Sequence, residues 1–149
     1  VTVISGGAAM DAALARMARG LDRPLKLQVG YPEGETYPDG TPLGLVAAVN
    51  NYGAPARGIP PRPFFTDTIK AGESRWPGEI AAIAKAAEYN PGLTLARFGD
   101  NVAGQIKEAI GAWEDPPNAE STVARKGFDK PLIDTHLMFD SVKSIVSDT

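Results

Sequence analysis

The stretch TLARFGDNVAGQIKEAIGAW, residues 94–113, decides how the rest of the chain is read. Leu95, Phe98, Val102, Ile106, Ile110 and Trp113 recur at intervals of three, four, four, four and three, which is one stripe of an α-helix. A stripe this regular predicts the longest helix of the protein, with its apolar face on the core. Gly104 and Gly111 sit seven residues apart on the opposite, otherwise polar face. Glycine costs about 1 kcal/mol against alanine inside a helix. Either another element or an adjacent subunit covers them, or both are tolerated positions open to water.

Shorter patterns flank this helix. Met10, Leu14, Met17 and Leu21 are spaced four, three and four, and predict an amphipathic helix over about 8–21, ended by Gly20 and Pro24. Leu25, Leu27 and Val29 alternate with Lys26 and Gln28, the period of a strand with one buried face. A polar loop, 32–42, holds the turn pair Asp39-Gly40. Leu45, Val46 and Val49 suggest a short helix over 43–52, capped by Gly53. Then comes Ile59-Pro60-Pro61-Arg62-Pro63-Phe64-Phe65, whose three prolines favour an extended arm anchored by its two aromatics. A helix is expected from Pro77 to Tyr89 with Ile80, Ile83, Ala84 and Ala87 inward, and Pro91 as a break before the long helix. Pro116-Pro117 end that helix. Asn118 is a candidate cap for a turn through Ala124, and Asp134 or Thr135 for a turn through Ser141. Val142–Ser147 reads as the last strand, and Val1–Ile4 as a short β-branched run that could begin one. The expected class is α+β: helices packed on a small antiparallel sheet, with long ordered loops rich in proline and glycine.

Length and composition agree with one domain over 1–149. At 15.7 kDa and 43% hydrophobic residues, the chain is large enough to bury a core. Sixteen glycines and thirteen prolines cluster mainly between Tyr31 and Pro63 and around Pro116, below the level of a low-complexity chain. Fifteen basic against eighteen acidic side chains give a net charge of −3, the wrong sign for a protein that grips DNA by neutralising phosphates. Without cysteine there is no disulfide scaffold, thiol nucleophile or cysteine-held metal. No apolar run approaches the roughly 20 residues of a membrane span, and no secretory leader opens the sequence, so a soluble protein of a reducing cytoplasm is expected.

Catalytic patterns are sparse. His136 is the only histidine, so no histidine pair can bind metal, and no Gly-x-Ser-x-Gly elbow presents a nucleophile to it. Asp134-Thr135-His136 approaches the Asp-Thr-Gly of aspartic proteases, but histidine stands where the tight turn needs glycine. The pairs Glu33/Glu35 and Glu114/Asp115 lie in loops or at helix ends, where solvated acids are common. Gly6-Gly7 suits a helix entry as well as a phosphate site, and Trp76 and Trp113 suit core or interface anchors. Arg125, Lys126 and Lys130 make a small basic cluster, a solvated loop or a contact for a partner's acidic face. The expectation is no enzyme, no cofactor and no metal.

Four stretches nevertheless form a pattern: Val29–Glu33 with Asp39-Gly40-Thr41; Val46–Gly53; Ile59–Phe65; and Lys130–Thr135 with Met138, Ser141 and Val142. In this order and spacing they resemble the tail-completion, or neck, proteins of tailed bacteriophages, over most of the chain from Gln28 onward. His136 departs from that pattern, which commonly has glycine there. The resemblance implies a structural virion protein: a ring, expected to be a hexamer, at the head–tail junction. It would complete the tail and join it to the head connector and to the tail terminator or tail tube. Genome DNA would pass through the lumen without sequence-specific binding. It also implies assembly in the host cytoplasm, location in the virion neck and no membrane. Ring closure requires two unlike patches per subunit. The candidate interface residues are Ile59, Pro60, Pro61, Arg62, Pro63, Gly104, Gly111, Arg125 and Lys126. The alternatives are a tail terminator or head-side adaptor ring, and, from another class, a prophage-encoded hydrolase using Asp134 or His136.

Overall fold

The structure is a computed structural model that describes residues 6–148. The β-branched run Val1–Ile4 lies outside the described residues. In chain order the elements are α1 (Gly7–Leu21), β1 (Leu25–Gly30), α2 (Leu43–Tyr52), a single 3₁₀ turn (Pro55–Arg57), α3 (Phe64–Gly72), α4 (Trp76–Ala86), α5 (Pro91–Ala112), α6 (Glu120–Lys126), α7 (Leu137–Asp140) and β2 (Lys143–Asp148). Among the described residues, seven helices thus pack around a two-stranded antiparallel sheet, an α+β fold.

The long helix is the spine. Phe98, Val102, Ile106 and Ile110 are buried as the stripe predicts, and Leu95 and Trp113 are half-buried at its ends. Pro91 does not interrupt the chain: it occupies the first turn of α5, where its missing N–H costs nothing, and the Asn90 side chain caps the helix at Leu93 N. The sheet lies across the same helix. β1 and β2 pair Leu27 with Val146 and Val29 with Ser144 on the face toward α5, and Gln28 with Ile145 on the outer face. A lone pair of strands is marginal in water, so its docking on α5 is what holds it. Gly99 makes that docking close. A Cβ there would come within 2.6 Å of Leu27 Cδ1 and 2.7 Å of Ser144 Cβ, well inside contact distance. Neighbouring Asp100 accepts a 2.6 Å hydrogen bond from the Ser144 hydroxyl.

The core closes around α5 with Leu43 and Ala47 of α2, Phe64 of α3, Leu132, Met138 of α7 and Val142. Large apolar side chains buried this fully contribute about 1.5–3 kcal/mol each. Three expectations need correction. On α2 the buried row is Leu43, Ala47 and Asn51, four residues apart, while Leu45 points outward. The proline arm ends earlier than its aromatics suggest: Pro63 sets the entry to α3, and Phe64-Phe65 form the first turn of a helix that the proline run conceals. Among the described residues nothing covers most of the α1 stripe at Met10 and Leu14, which are 62% and 54% exposed, and Met17 is only half-covered. Gly20 is what rests against the body: a Cβ there would meet the Pro91 ring at 2.3 Å.

The late turns also differ from expectation. Asn118 does not cap α6, whose N-cap is Ala119; its backbone N–H and side-chain amide both donate to Asp129 Oδ1. Neither Asp134 nor Thr135 caps α7. The N-cap is His136, held in the left-handed region at φ 61°, and its carbonyl receives Asp140 N at 2.8 Å. Glycine takes that conformation without the Cβ penalty histidine pays.

Candidate functional site

The site begins with the way the arm is tied down. Gly53 leaves α2 at φ 76°, ψ 172°, a conformation essentially restricted to glycine. A Cβ on it would stand 2.8 Å from Pro61 N and 3.0 Å from Ile59 O. The arm therefore passes directly over Gly53. Ala54 and Ile59 exchange backbone hydrogen bonds around the 3₁₀ turn, and Arg62 N donates to Asn50 O at 2.7 Å. One helix then caps another. Asn51, 4% exposed at the end of α2, accepts from Phe65 N at 3.0 Å and Thr66 N at 3.2 Å, satisfying donors that the start of α3 leaves open.

Arg62 fastens the far side. Its Nε donates to Pro116 O at 3.1 Å and its Nη2 to Pro117 O at 2.9 Å, joining the arm to the segment that follows α5. The side chain is 5% exposed. Loss of water pulls the guanidinium below its ordinary pKa, and Asp129 pulls the other way, but no carboxylate among the described residues comes within ion-pair distance of it. Arginine keeps its proton in such surroundings.

Between the arm and α6 lies a cleft of about 430 Å³. Ile59, Pro60 and Arg62 form one wall, and Asn118, Thr122, Arg125 and Lys126 face them. Pro131–Asp134 and Met138 close one end, and Tyr37, Asp39 and Thr41 contribute the rim, with Val46 and Asn50 of α2 between them. Asp39 shapes its own turn by accepting from Thr41 N at 2.9 Å, which holds its carboxyl below the usual range. Lys126 donates to Lys130 O at 2.7 Å and lies 5.0 Å from the Phe128 ring centre; burial lowers its pKa, and Asp134 opposes that shift. Arg125 pairs with Asp134 at 3.3 Å near the surface. Burial raises the Tyr37 hydroxyl, with Asp134 and Asp39 adding to the effect.

The structure thus brings Ile59, Pro60, Arg62, Arg125 and Lys126 to one cleft, although more than sixty residues separate Arg62 from Arg125. Arg62 is the exception to a free interface role, because its own chain covers it. Pro61 is exposed and Pro63 half-buried, both outside the cleft lining. Gly104 and Gly111 belong elsewhere. Gly104 borders a hollow between α5 and β2 with nothing within 4 Å of a Cβ, and a Cβ on Gly111 would meet Phe139 of α7 at an ordinary 3.8 Å. They lie on flanks beside β2 and α7 rather than on a bare opposite face.

The catalytic alternatives find no assembled set. His136 is exposed, packs edge-on to Phe139, and has no hydrogen bond from its ring among the described residues; Asp134 is engaged by Arg125. Glu35 is bound by Lys143 and Glu114 by Lys130, so neither acid pair converges. No group of three metal-ligating side chains gathers among the described residues, and no described helix is long and apolar enough to cross a membrane. Sequence reasoning did not mark Tyr37 or Thr122, and took Asn118 only for a cap and Leu132 only as part of the Lys130–Thr135 stretch. The Asp39-Gly40 turn and the proline pair after α5 mark where the walls bend, but nothing local says that they face each other. Comparisons with family models, with curated proteins and with solved structures give no match.

Proposed function

We propose that this chain is a structural subunit of a ring at the head–tail junction of a tailed bacteriophage, completing the tail and docking it to the head connector. The observation that carries the reading is the meeting of segments. The stretches on which the resemblance rests supply Asp39 and Thr41, Val46 and Asn50, Ile59, Pro60 and Arg62, and Pro131 to Asp134 with Met138, and these line one cleft. A pattern scattered along the sequence is what a common surface or packing requirement would leave. Two unlike exposed patches also suit the head-to-tail contacts of a closed ring: the Met10–Leu14 side of α1, and the arm with its exposed Pro60 and Pro61. The arm is already ordered within the subunit, so docking it costs little further entropy. A chain of net charge −3 suits a conduit that lets DNA slide.

The test is assembly. Purified protein, imaged by electron microscopy and incubated with tail tubes or with DNA-filled heads, should form closed rings and bind tails. Binding to heads alone would make it a head-side adaptor. A protein that stays monomeric with both particles refutes the reading. Gly104→Leu adds a side chain beside β2 where space is open, so a variant that folds normally but fails to assemble would place a neighbour there.

A further inference from the structure

We infer that the free edge of β2 is a self-association surface: β2 of a second copy pairs with it antiparallel about a twofold axis, and the two chains share one four-stranded sheet. Among the described residues the sheet has only two strands. Alternate residues of β2 therefore turn their N–H and C=O groups away from β1, and these groups have no hydrogen-bond partner among the described residues. Native edges are blunted by charge, proline or a bulge. β1 carries Lys26 in mid-strand, and Phe65 lies against its end at Gly30. β2 has no such guard. Ser144, Ile145, Val146 and Ser147 carry neither charge nor proline, and Ile145 on the outer face is 48% exposed. There is also room for a further strand. An open hollow of about 420 Å³ lies along β2, lined by Asp100, Ala103, Gly104 and Lys107 of α5, and nothing stands within 4 Å of a Cβ on Gly104.

Charge selects a second β2 as the occupant. A twofold normal to the sheet keeps core-facing residues beside core-facing residues, so the register moves only in steps of two. One register sets Ile145 against its own copy on the outer face. On the inner face it sets Ser144 beside Val146 of the second copy, and Asp148 beside Val142 of the second copy. Val142 and Lys107 line the same hollow, so each Asp148 meets the Lys107 of the other chain; neither has an ion pair among the described residues. The neighbouring registers lose this match. One brings Asp148 against Ser144, whose hydroxyl is bound to Asp100, and sets acid beside acid. The other sets Lys143 against Ile145. Strand spacing then places the two α5 helices about 10 Å apart beneath the sheet, the distance of packed helices. The surface is neither the α1 side nor the arm, so the inference stands apart from the ring reading.

The experiment uses the full chain, which has no cysteine of its own. Ile145→Cys and Ser147→Cys are compared under mild oxidation. Directly opposed residues of antiparallel strands have Cα atoms about 4.5–5.5 Å apart, within disulfide reach. Ser147 lies four residues along the strand from its copy, about 14 Å away. Ile145→Cys should therefore form a covalent dimer about tenfold or more faster than Ser147→Cys. In analytical ultracentrifugation the unaltered chain should associate reversibly. Ile145→Lys, which sets like charges against each other at the axis, should weaken that association about fivefold or more while the circular dichroism spectrum stays in place. Cross-linking of Ser147→Cys as fast as Ile145→Cys, association untouched by Ile145→Lys, or a chain still monomeric at millimolar concentration would each overturn the inference.

Discussion

Replacing Asn51 by alanine tests the joint on which the arm depends. The Asn51 side-chain oxygen sits at the end of α2 and accepts from Phe65 N and Thr66 N, at 3.0 and 3.2 Å, while the residue is 4% exposed. Truncation removes the acceptor and leaves two donors at the start of α3 with little access to water. An unsatisfied buried donor costs about 1–3 kcal/mol, so two that relax partially should cost about 2–4 kcal/mol. For a domain of this size each kcal/mol moves the midpoint by about 2–4 °C, which predicts a fall of about 4–16 °C in Tm. Urea unfolding followed by circular dichroism should show a lower midpoint with an unchanged slope. Asn50→Ala is the control. Its side chain donates to Val46 O, four residues back on the same helix, and its loss should cost under about 1 kcal/mol. If Asn51→Ala is no more costly than the control, the cross-helix cap is not what holds α3.

Gly53→Ala should be destabilising by about 1–3 kcal/mol through backbone strain, and should speed proteolysis within 53–63, because its Cβ also meets Pro61. His136→Gly should raise stability by up to about 1 kcal/mol, since relief of the left-handed strain exceeds the added freedom of the unfolded chain; an unchanged or lower Tm would contradict this. The Glu35 carboxyl is held below its ordinary value of 4.5 by hydrogen bonds from Lys143 and Ser141. Its contribution is present above that value and lost as pH falls through the lowered one. Lys143→Met should therefore lower stability slightly at neutral pH and leave it unchanged in acid, where Glu35 is protonated in both proteins, so that the curve falls less steeply below about pH 4.5.

What the sequence made legible was set by local periodicity. The α5 stripe, the alternation of β1 and the break at Gly53 are each decided within a few residues, and each lies in the structure where it was expected. Failures came where a distant partner overrides the local signal. Phe64 reads as the end of a proline arm because nothing nearby announces a helix; α3 starts there because Asn51, thirteen residues earlier, supplies its cap. Gly104 and Gly111 drew attention by their place on the helical wheel, whereas the glycine of α5 that the packing requires is Gly99, whose neighbours come from strands at opposite ends of the chain. A wheel shows which face a residue occupies. It does not show how near the next backbone will come.

The candidate site is of the second kind, and its stiffness follows from that. The arm's side of the cleft is held by a bond between segments far apart in sequence, Arg62 to Pro116 and Pro117; Arg125 to Asp134 ties the bend that follows α6, and Asn51 to Phe65 and Thr66 fixes the arm just beyond the lining. Arg62 and the carbonyls it binds lie on opposite sides of α5 in the sequence, so the cleft belongs to the finished fold and not to any short fragment of it. Its polar ties are also unequal. Asn51 is neutral and satisfied within the chain, whereas Arg62 is charged, donates to two carbonyls and is favoured at longer range by Asp129. A scaffold needs the first kind of tie. The second ties the arm to the segment after α5 through a permanent charge, so losing it would strip two carbonyls of their donors at once.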